Sequence, residues 1–230
     1  MKYTLHIKRQ KDSHSRPYWQ DFSYEGSALT VSQMLLELNE RDPLSDCRGI
    51  VTSPVRWQHS CFVRKCGACA MRINGKPRLA CASFLKEYKH SIITIEPLQK
   101  FPVVSDLIVD RSCISERLKA WQIWLEEEAR PMGWTFENRY QSSRCLLCGC
   151  CLEVCPNYQR GGLFAGAAAA VNAYRILTAE RQKTAHYEAL SRIYKQEYYE
   201  GCGQSLACED ICPARIPVTE LLACANHQVR

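Results

Sequence analysis

Cysteine placement constrains this chain more than any other feature. Cys61, Cys66 and Cys69 stand in the order C-x4-C-x2-C, with Cys81 following further on. A second frame, C-x2-C-x2-C-x3-C-P, takes in Cys145, Cys148, Cys151, Cys155 and Pro156. The same frame returns at Cys202, Ser205, Cys208, Cys212 and Pro213, with serine in the second ligand place. Fifteen cysteines in 230 residues demand an explanation. A disulfide scaffold is a poor one, because the count is odd, the chain is long, and Met1 to Arg9 alternates like a strand instead of carrying an apolar leader. Metal ligation in a reducing compartment accounts for the pattern.

The first spacing is that of plant-type two-iron clusters. Two irons take four thiolates, three from one tightly wound loop and a fourth, Cys81, from the chain that returns past it. Gly67 and Ala68 leave room there for backbone N–H groups to point at sulfur. Zinc is the rival metal, but its sites pair short C-x2–4-C elements across a longer loop. The second spacing is the bacterial ferredoxin run, in which the fourth cysteine of each run serves the other cluster. By that crossover, Cys145, Cys148, Cys151 and Cys212 form a four-thiolate set for a [4Fe–4S] cluster. Cys155, Cys202 and Cys208 remain as three, which suits a [3Fe–4S] cluster, with a Ser205 alkoxide as the other way to hold a fourth iron. Pro156 and Pro213 keep the chain from turning back as helix. Cys47, Cys113, Cys150 and Cys224 are left over and read as small apolar fillers. Cys150 adjoins Cys151, but only Cys151 keeps the x2 spacing from Cys148.

Around these motifs the texture changes once. Tyr3, Leu5 and Ile7 alternate, and Trp19 to Tyr24 offers a hairpin partner. Thr30 or Ser32 caps a helix with Val31, Met34, Leu35, Leu36 and Leu38 on one side. Asn74-Gly75 marks a tight turn between Ala70–Ile73 and Arg78–Ala80, and Ser91 to Ile95 is a further strand. From Leu107 onward the pattern is helical, broken at Pro131, Gly133, Pro156 and Gly161-Gly162. Residues 164–181 form a small-residue helix, and Ala185 to Tyr199 an amphipathic one. Pro97 to Asp106 reads as a connecting segment. Two domains result, 1–102 rich in strands and 103–230 helical, an α+β chain.

Several function classes fall away. The longest weakly polar run, Gly161 to Ala173, is short of the roughly 20 residues of a membrane span. The net charge of +6 is dispersed among acids such as Glu126-Glu127-Glu128, with no basic stripe for nucleic acid. No Gly-rich dinucleotide fingerprint or nucleophile–base motif is present, so no catalytic residue is assigned. His6, His14, His59, His90, His186 and His227 follow no ligand spacing. His59, near Cys61, reads as a packing or hydrogen-bonding residue.

Taken together, the chain resembles the iron–sulfur subunit of succinate dehydrogenase and fumarate reductase along nearly its whole length. The likeness includes Pro17-Tyr18-Trp19-Gln20, Ser60-Cys61, Ile73-Asn74-Gly75, Leu79-Ala80-Cys81 and Val103-x2-Asp106-Leu107-Ile108-Val109-Asp110. It continues through Cys145-Leu146-Leu147-Cys148-Gly149-Cys150-Cys151, Leu163 to Ala168 and Ala173-Tyr174-Arg175. That resemblance implies a β-grasp [2Fe–2S] domain followed by an α-helical ferredoxin domain. It implies an FAD-containing flavoprotein partner that interconverts succinate and fumarate, and membrane-anchor subunits that hold quinone. The chain would pass electrons between them as a peripheral protein at the cytoplasmic face of the inner membrane. Phe62 and Arg64 stand where the family usually has Arg and a small residue. Asn157-Tyr158-Gln159-Arg160 and Gly203 stand where relatives that reduce ubiquinone often carry a tryptophan pair and a histidine. The alternatives are a heterodisulfide- or glycolate-linked electron-transfer subunit and, from another class, a zinc-binding module.

Overall fold

The computed structural model describes residues 2–124, 136–179 and 184–229. The acids at 126–128, the breaks at Pro131 and Gly133 and the end of the expected 164–181 helix lie outside the described residues. The chain divides into two compact units, Met1–Asp110 and Arg111–Arg230.

In the first unit, β1 (Lys2–Arg9) and β2 (Tyr18–Glu25) form an antiparallel hairpin in unbroken register from Lys2↔Glu25 to Arg9↔Tyr18. The alternation buries Leu5, Ile7 and Phe22 completely, and in the same phase it also buries Arg9. Helix α1 (Val31–Asn39) opens on a capping box. The Thr30 hydroxyl accepts from the Gln33 amide at 3.3 Å, and the Gln33 side chain accepts from the Thr30 amide at 3.2 Å. Ser32 instead lies within the first turn, 2.9 Å from the Thr30 hydroxyl.

A second hairpin, β3 (Ala70–Ile73) and β4 (Lys76–Leu79), turns through Asn74 and Gly75, both at positive φ (48° and 77°). Asn-Gly is the pair best suited to such a turn. Strand β5 (Ile92–Glu96) then enters the middle of the sheet, parallel to β1 and antiparallel to β3, giving the order β2-β1-β5-β3-β4. This is the β-grasp arrangement.

The segment from Pro97 to Asp106 is part of this unit and not a tether. Leu98, Phe101 and Asp106 are buried, and β6 (Val103–Ser105) pairs with β7 (Ile108–Val109). The reason is polar: Asp106 takes hydrogen bonds from Arg9 and from the backbone amides of Gln10 and Arg56.

The second unit is helical: α2 (Ser112–Ala120), α3 (Phe136–Ser143), α4 (Cys150–Val154), α5 (Gly166–Leu177), α6 (Ala185–Tyr194), α7 (Ala207–Asp210) and α8 (Val218–Gln228). Helix α6 continues into a π-helical turn, Lys195–Tyr199. Helix α5 is the hub, touching α2, α3, α4, α6 and α8. Its run of alanines, Ala167 to Ala170 and Ala173, lets neighbours approach closely, and all are buried. Gly166 opens it at φ +76°, where a β-carbon would lie 2.3 Å from Leu152 Cδ2. Both the backbone and the space therefore require glycine.

Candidate iron–sulfur sites

The two-iron loop runs from Cys61 to Cys69. Cys81 follows on a 3-10 turn (Ala80–Ala82) directly after β4. The Ala80 amide donates to the Cys69 carbonyl at 3.0 Å, which brings Cys69 and Cys81 sulfurs to 3.4 Å. Phe62, Arg64 and Gly67 all take positive φ (54°, 60° and 72°) and coil the loop on itself. Such alternation turns successive N–H groups toward one concave side, a nest for negative charge.

The Val63 and Lys65 amides accordingly donate to Cys61 Sγ at 3.4 and 3.3 Å. Those two bonds, Val63 first, bring the Cys61 thiol down to about 7. The Cys69 thiol lowers its neighbour Cys81 to about 6, aided by the Arg64 amide and guanidinium, while Cys69 itself is raised. Beside the room that Gly67 and Ala68 leave for amides, Val63 and Lys65 are donors to Cys61. His59 packs on Trp57 and Phe62, with ring centres 4.5 and 5.3 Å away.

In the second unit the two runs share a backbone. Leu147 and Gly149 take φ of 49° and 84°, and Gln204 and Leu206 take 52° and 58° at the matching places. Each run then enters a short helix, α4 and α7, and these touch. Ser205 therefore occupies the turn position that Cys148 occupies in the first run.

The cysteines gather in two groups. Burial first, then the neighbouring Cys148, Cys145 and Cys212, pushes up the Cys151 thiol. Burial, with Cys148 and Cys212 close by, also raises Cys145. The other group is Cys155, Cys202 and Cys208, where burial and the two neighbours raise Cys208 to about 11. Cys208 also lies near Cys151, so the groups adjoin. Cys155, Cys202, Cys208 and Ser205 line a cavity of about 270 Å³, walled by Phe164 and Tyr198 among others. Among the described residues, no three His, Cys, Asp or Glu side chains converge to hold a single metal ion.

The spare cysteines differ from one another. Cys150 is fully buried, and its hydrogen bond with Cys148 holds the Cys148 thiol near 7. Cys113 lies 3.7 Å from the Tyr158 hydroxyl, and Cys224 is half-buried. Cys47 is exposed and so fills no core. Its amide is spent on the Asp21 carbonyl at 2.8 Å, which fixes a turn facing outward.

Three residues near these sites escaped the sequence reading. Arg111 donates from Nη1 to the Cys148 carbonyl at 3.1 Å. Asn172, buried in α5, donates to the Ala168 carbonyl at 2.8 Å and reaches the Cys145 sulfur. Tyr198 lines the same cavity as Cys202. An amide alone in an alanine-rich helix was a signal available for Asn172.

The donor chemistry suits iron–sulfur clusters: thiols in sets and amides aimed at sulfur. Fold and sites together define a two-domain iron–sulfur protein, a β-grasp two-iron domain joined to a helical ferredoxin domain. Family models agree in kind. A 2Fe-2S iron-sulfur cluster binding domain matches residues 4–116, and a 4Fe-4S dicluster domain matches 141–216. The succinate dehydrogenase iron-sulfur subunit of Bacillus subtilis is 34% identical, covering 96% of this chain and 90% of its own. The fumarate reductase iron-sulfur subunit of Wolinella succinogenes is 27% identical over 91% and 88%. A chain of the Mycobacterium smegmatis Sdh1 complex in the apo form superposes with a TM-score of 0.82 at 20% identity, covering 99% of this chain and 95% of that one, and so shares the fold. This chain belongs to the family of succinate dehydrogenase and fumarate reductase iron–sulfur subunits.

Proposed function

We propose that this chain relays electrons between an FAD-containing flavoprotein that interconverts succinate and fumarate and a quinone held by membrane-anchor subunits. Its ligand sets are Cys61, Cys66, Cys69 and Cys81 for [2Fe–2S], Cys145, Cys148, Cys151 and Cys212 for [4Fe–4S], and Cys155, Cys202 and Cys208 for [3Fe–4S]. The observation that carries this reading is the sorting of the second-unit cysteines into one group of four and one of three, with the groups adjoining. When bound, clusters of these kinds take up and release single electrons.

The chain's own residues set the conditions for that transfer. Amides of Val63 and Lys65 donate to Cys61, the Asn172 amide reaches Cys145, and Arg111 places positive charge beside Cys148. Each stabilises negative charge on sulfur and favours the reduced state. No helix among the described residues is long and apolar enough to cross a membrane. The relay reading puts the chain at the cytoplasmic face of the inner membrane, bound through its anchor partner.

A reconstitution series tests the relay. The isolated chain should accept electrons from a strong reductant without turning over succinate or fumarate. Adding the flavoprotein should restore activity with artificial dyes, and adding the anchor should restore activity with quinone. Steady turnover of either dicarboxylate by the chain alone would overturn it.

A further inference from the structure

The chain leaves Cys155 through a tight turn. The Tyr158 amide donates to the Cys155 carbonyl at 3.3 Å, closing a turn with Pro156 and Asn157 at its centre. Proline suits the second place of such a turn because its ring fixes φ at about −65°. Tyr158, which ends the turn, is buried, and its hydroxyl lies 3.7 Å from Cys113 Sγ. Asn157 is therefore carried on a short, stiff arm two residues beyond Cys155.

From that arm the Asn157 side chain reaches the other cysteine run. Its Nδ2 donates at 2.7 Å to the carbonyl of Gly201, the residue before Cys202. The Gly201 amide in turn donates to the Tyr198 carbonyl at 3.2 Å, so both backbone groups of Gly201 are engaged. A β-carbon on Gly201 would come within 2.8 Å of Phe164. On the far side of Cys202, a β-carbon on Gly203 would lie 3.1 Å from Asn157 Oδ1 and 3.3 Å from its Nδ2. One amide thus brackets Cys202, bonded to the carbonyl before it and packed on the α-carbon after it. Cys155, Asn157, Cys202 and Gly203 all line the cavity of about 270 Å³.

We propose that Asn157 is a positioning residue for the three-thiolate site, fixing the separation of Cys155 and Cys202 by tying the exit of one run to the entry of the other. The inference rests on the three-thiolate reading of Cys155, Cys202 and Cys208. A cluster held by three thiolates depends on each of them more than one held by four. Hydrogen-bonding residues that hold ligands in place contribute roughly 10- to 100-fold to metal affinity. The Asn157–Gly201 bond is exposed, so water competes with it. The low end of that range, about tenfold, is the effect expected here.

The test follows the three-iron EPR signal of the air-oxidised intact complex as it decays in the presence of an iron chelator. Asn157→Ala should speed the decay about tenfold, while the two-iron and four-iron signals, read after reduction, keep their intensity. An unchanged decay at full cluster content overturns the proposal. A second variant asks whether the amide acts on the neighbours of Cys202. Gly203→Ala sets a β-carbon against the amide and should also speed the decay. In the Asn157→Ala background there is no amide to displace, and the same change should add nothing. Equal effects of Gly203→Ala in both backgrounds overturn the proposal, because a general loss of stability adds in both.

Should Asn157→Ala hold no three-iron cluster, Gly203→Ala alone decides. Faster decay of the three-iron signal with the other two intact supports the clamp, and no change overturns it. Failure of the underlying reading looks different: the unaltered complex would then show no three-iron signal at all.

Discussion

Arg9 and Asp106 form a buried ion pair, Nε to Oδ1 at 3.0 Å and Nη2 to Oδ2 at 3.1 Å, with side chains only 2% and 5% exposed. The same guanidinium donates to Gln20 Oε1 and to the Ser53 and Pro54 carbonyls. The same carboxylate accepts from the Gln10 and Arg56 amides. The pair thus ties the first strand, the end of its own unit and the chain leading into the two-iron loop to one point. Arg9→Met leaves a carboxylate buried without its cation, and this should cost about 3–5 kcal/mol. Denaturant unfolding of the full chain measures it. The double variant Arg9→Met, Asp106→Leu should recover only part of the loss, because the Gln10 and Arg56 amides lose their acceptor.

Ser205 should be what limits its site to three thiolates. It stands at the turn position of Cys148, between two left-handed residues as Cys148 does. Ser205→Cys should therefore let the site take up a fourth iron, with a lower reduction potential, seen by iron analysis and EPR. Ser205→Ala should retain the three-iron signal; its disappearance would make the serine a ligand.

Adjacent cysteines should differ sharply in effect. Cys150→Ala removes a fully buried sulfur whose partner is Cys148 and should leave all three clusters in place at a stability cost of about 1 kcal/mol, set by the lost contacts. Cys151→Ala should abolish the [4Fe–4S] signal. EPR of the reduced complexes separates the two.

Leu206 adopts φ +58° where the other run uses Gly149, and it is about half exposed. A left-handed backbone costs a residue with a β-carbon roughly 1–2 kcal/mol. Glycine's extra chain entropy returns roughly 0.5–1 kcal/mol of that. Leu206→Gly should stabilise the chain by about 0.5–1 kcal/mol, read as a higher Tm.

What the sequence made legible were features written locally. The Asn74-Gly75 turn and a helix cap at Thr30 or Ser32 depend on residues a few places apart; the turn forms at its expected place, and Thr30 takes the cap. Arg9 was harder, because its phase with Tyr3, Leu5 and Ile7 pointed inward while its charge argued for solvent. Its partner lies 97 residues away, a pairing that no local pattern encodes. Tyr198 was hidden for another reason. A period of 3.6 residues describes an α-helix, and the π turn changes which side a side chain takes. Cys47 was misjudged because residue type suggested burial while the turn around Asp46, whose carboxylate accepts from the Arg48 and Ile50 amides, sets it outward.

The position of β5 bears on how the chain is made. Residues 92–96 form the middle of the five-stranded sheet, between β1 and β3, yet they are the last of its strands to be synthesised. The thiols at 61, 66, 69 and 81, on the loop before β3 and the turn after β4, leave the ribosome earlier, when no strand yet joins the two hairpins. Order of emergence and order of support are therefore reversed. Throughout that interval the nascent chain presents four cysteines on an unclosed sheet, open to an iron donor and to oxidants alike.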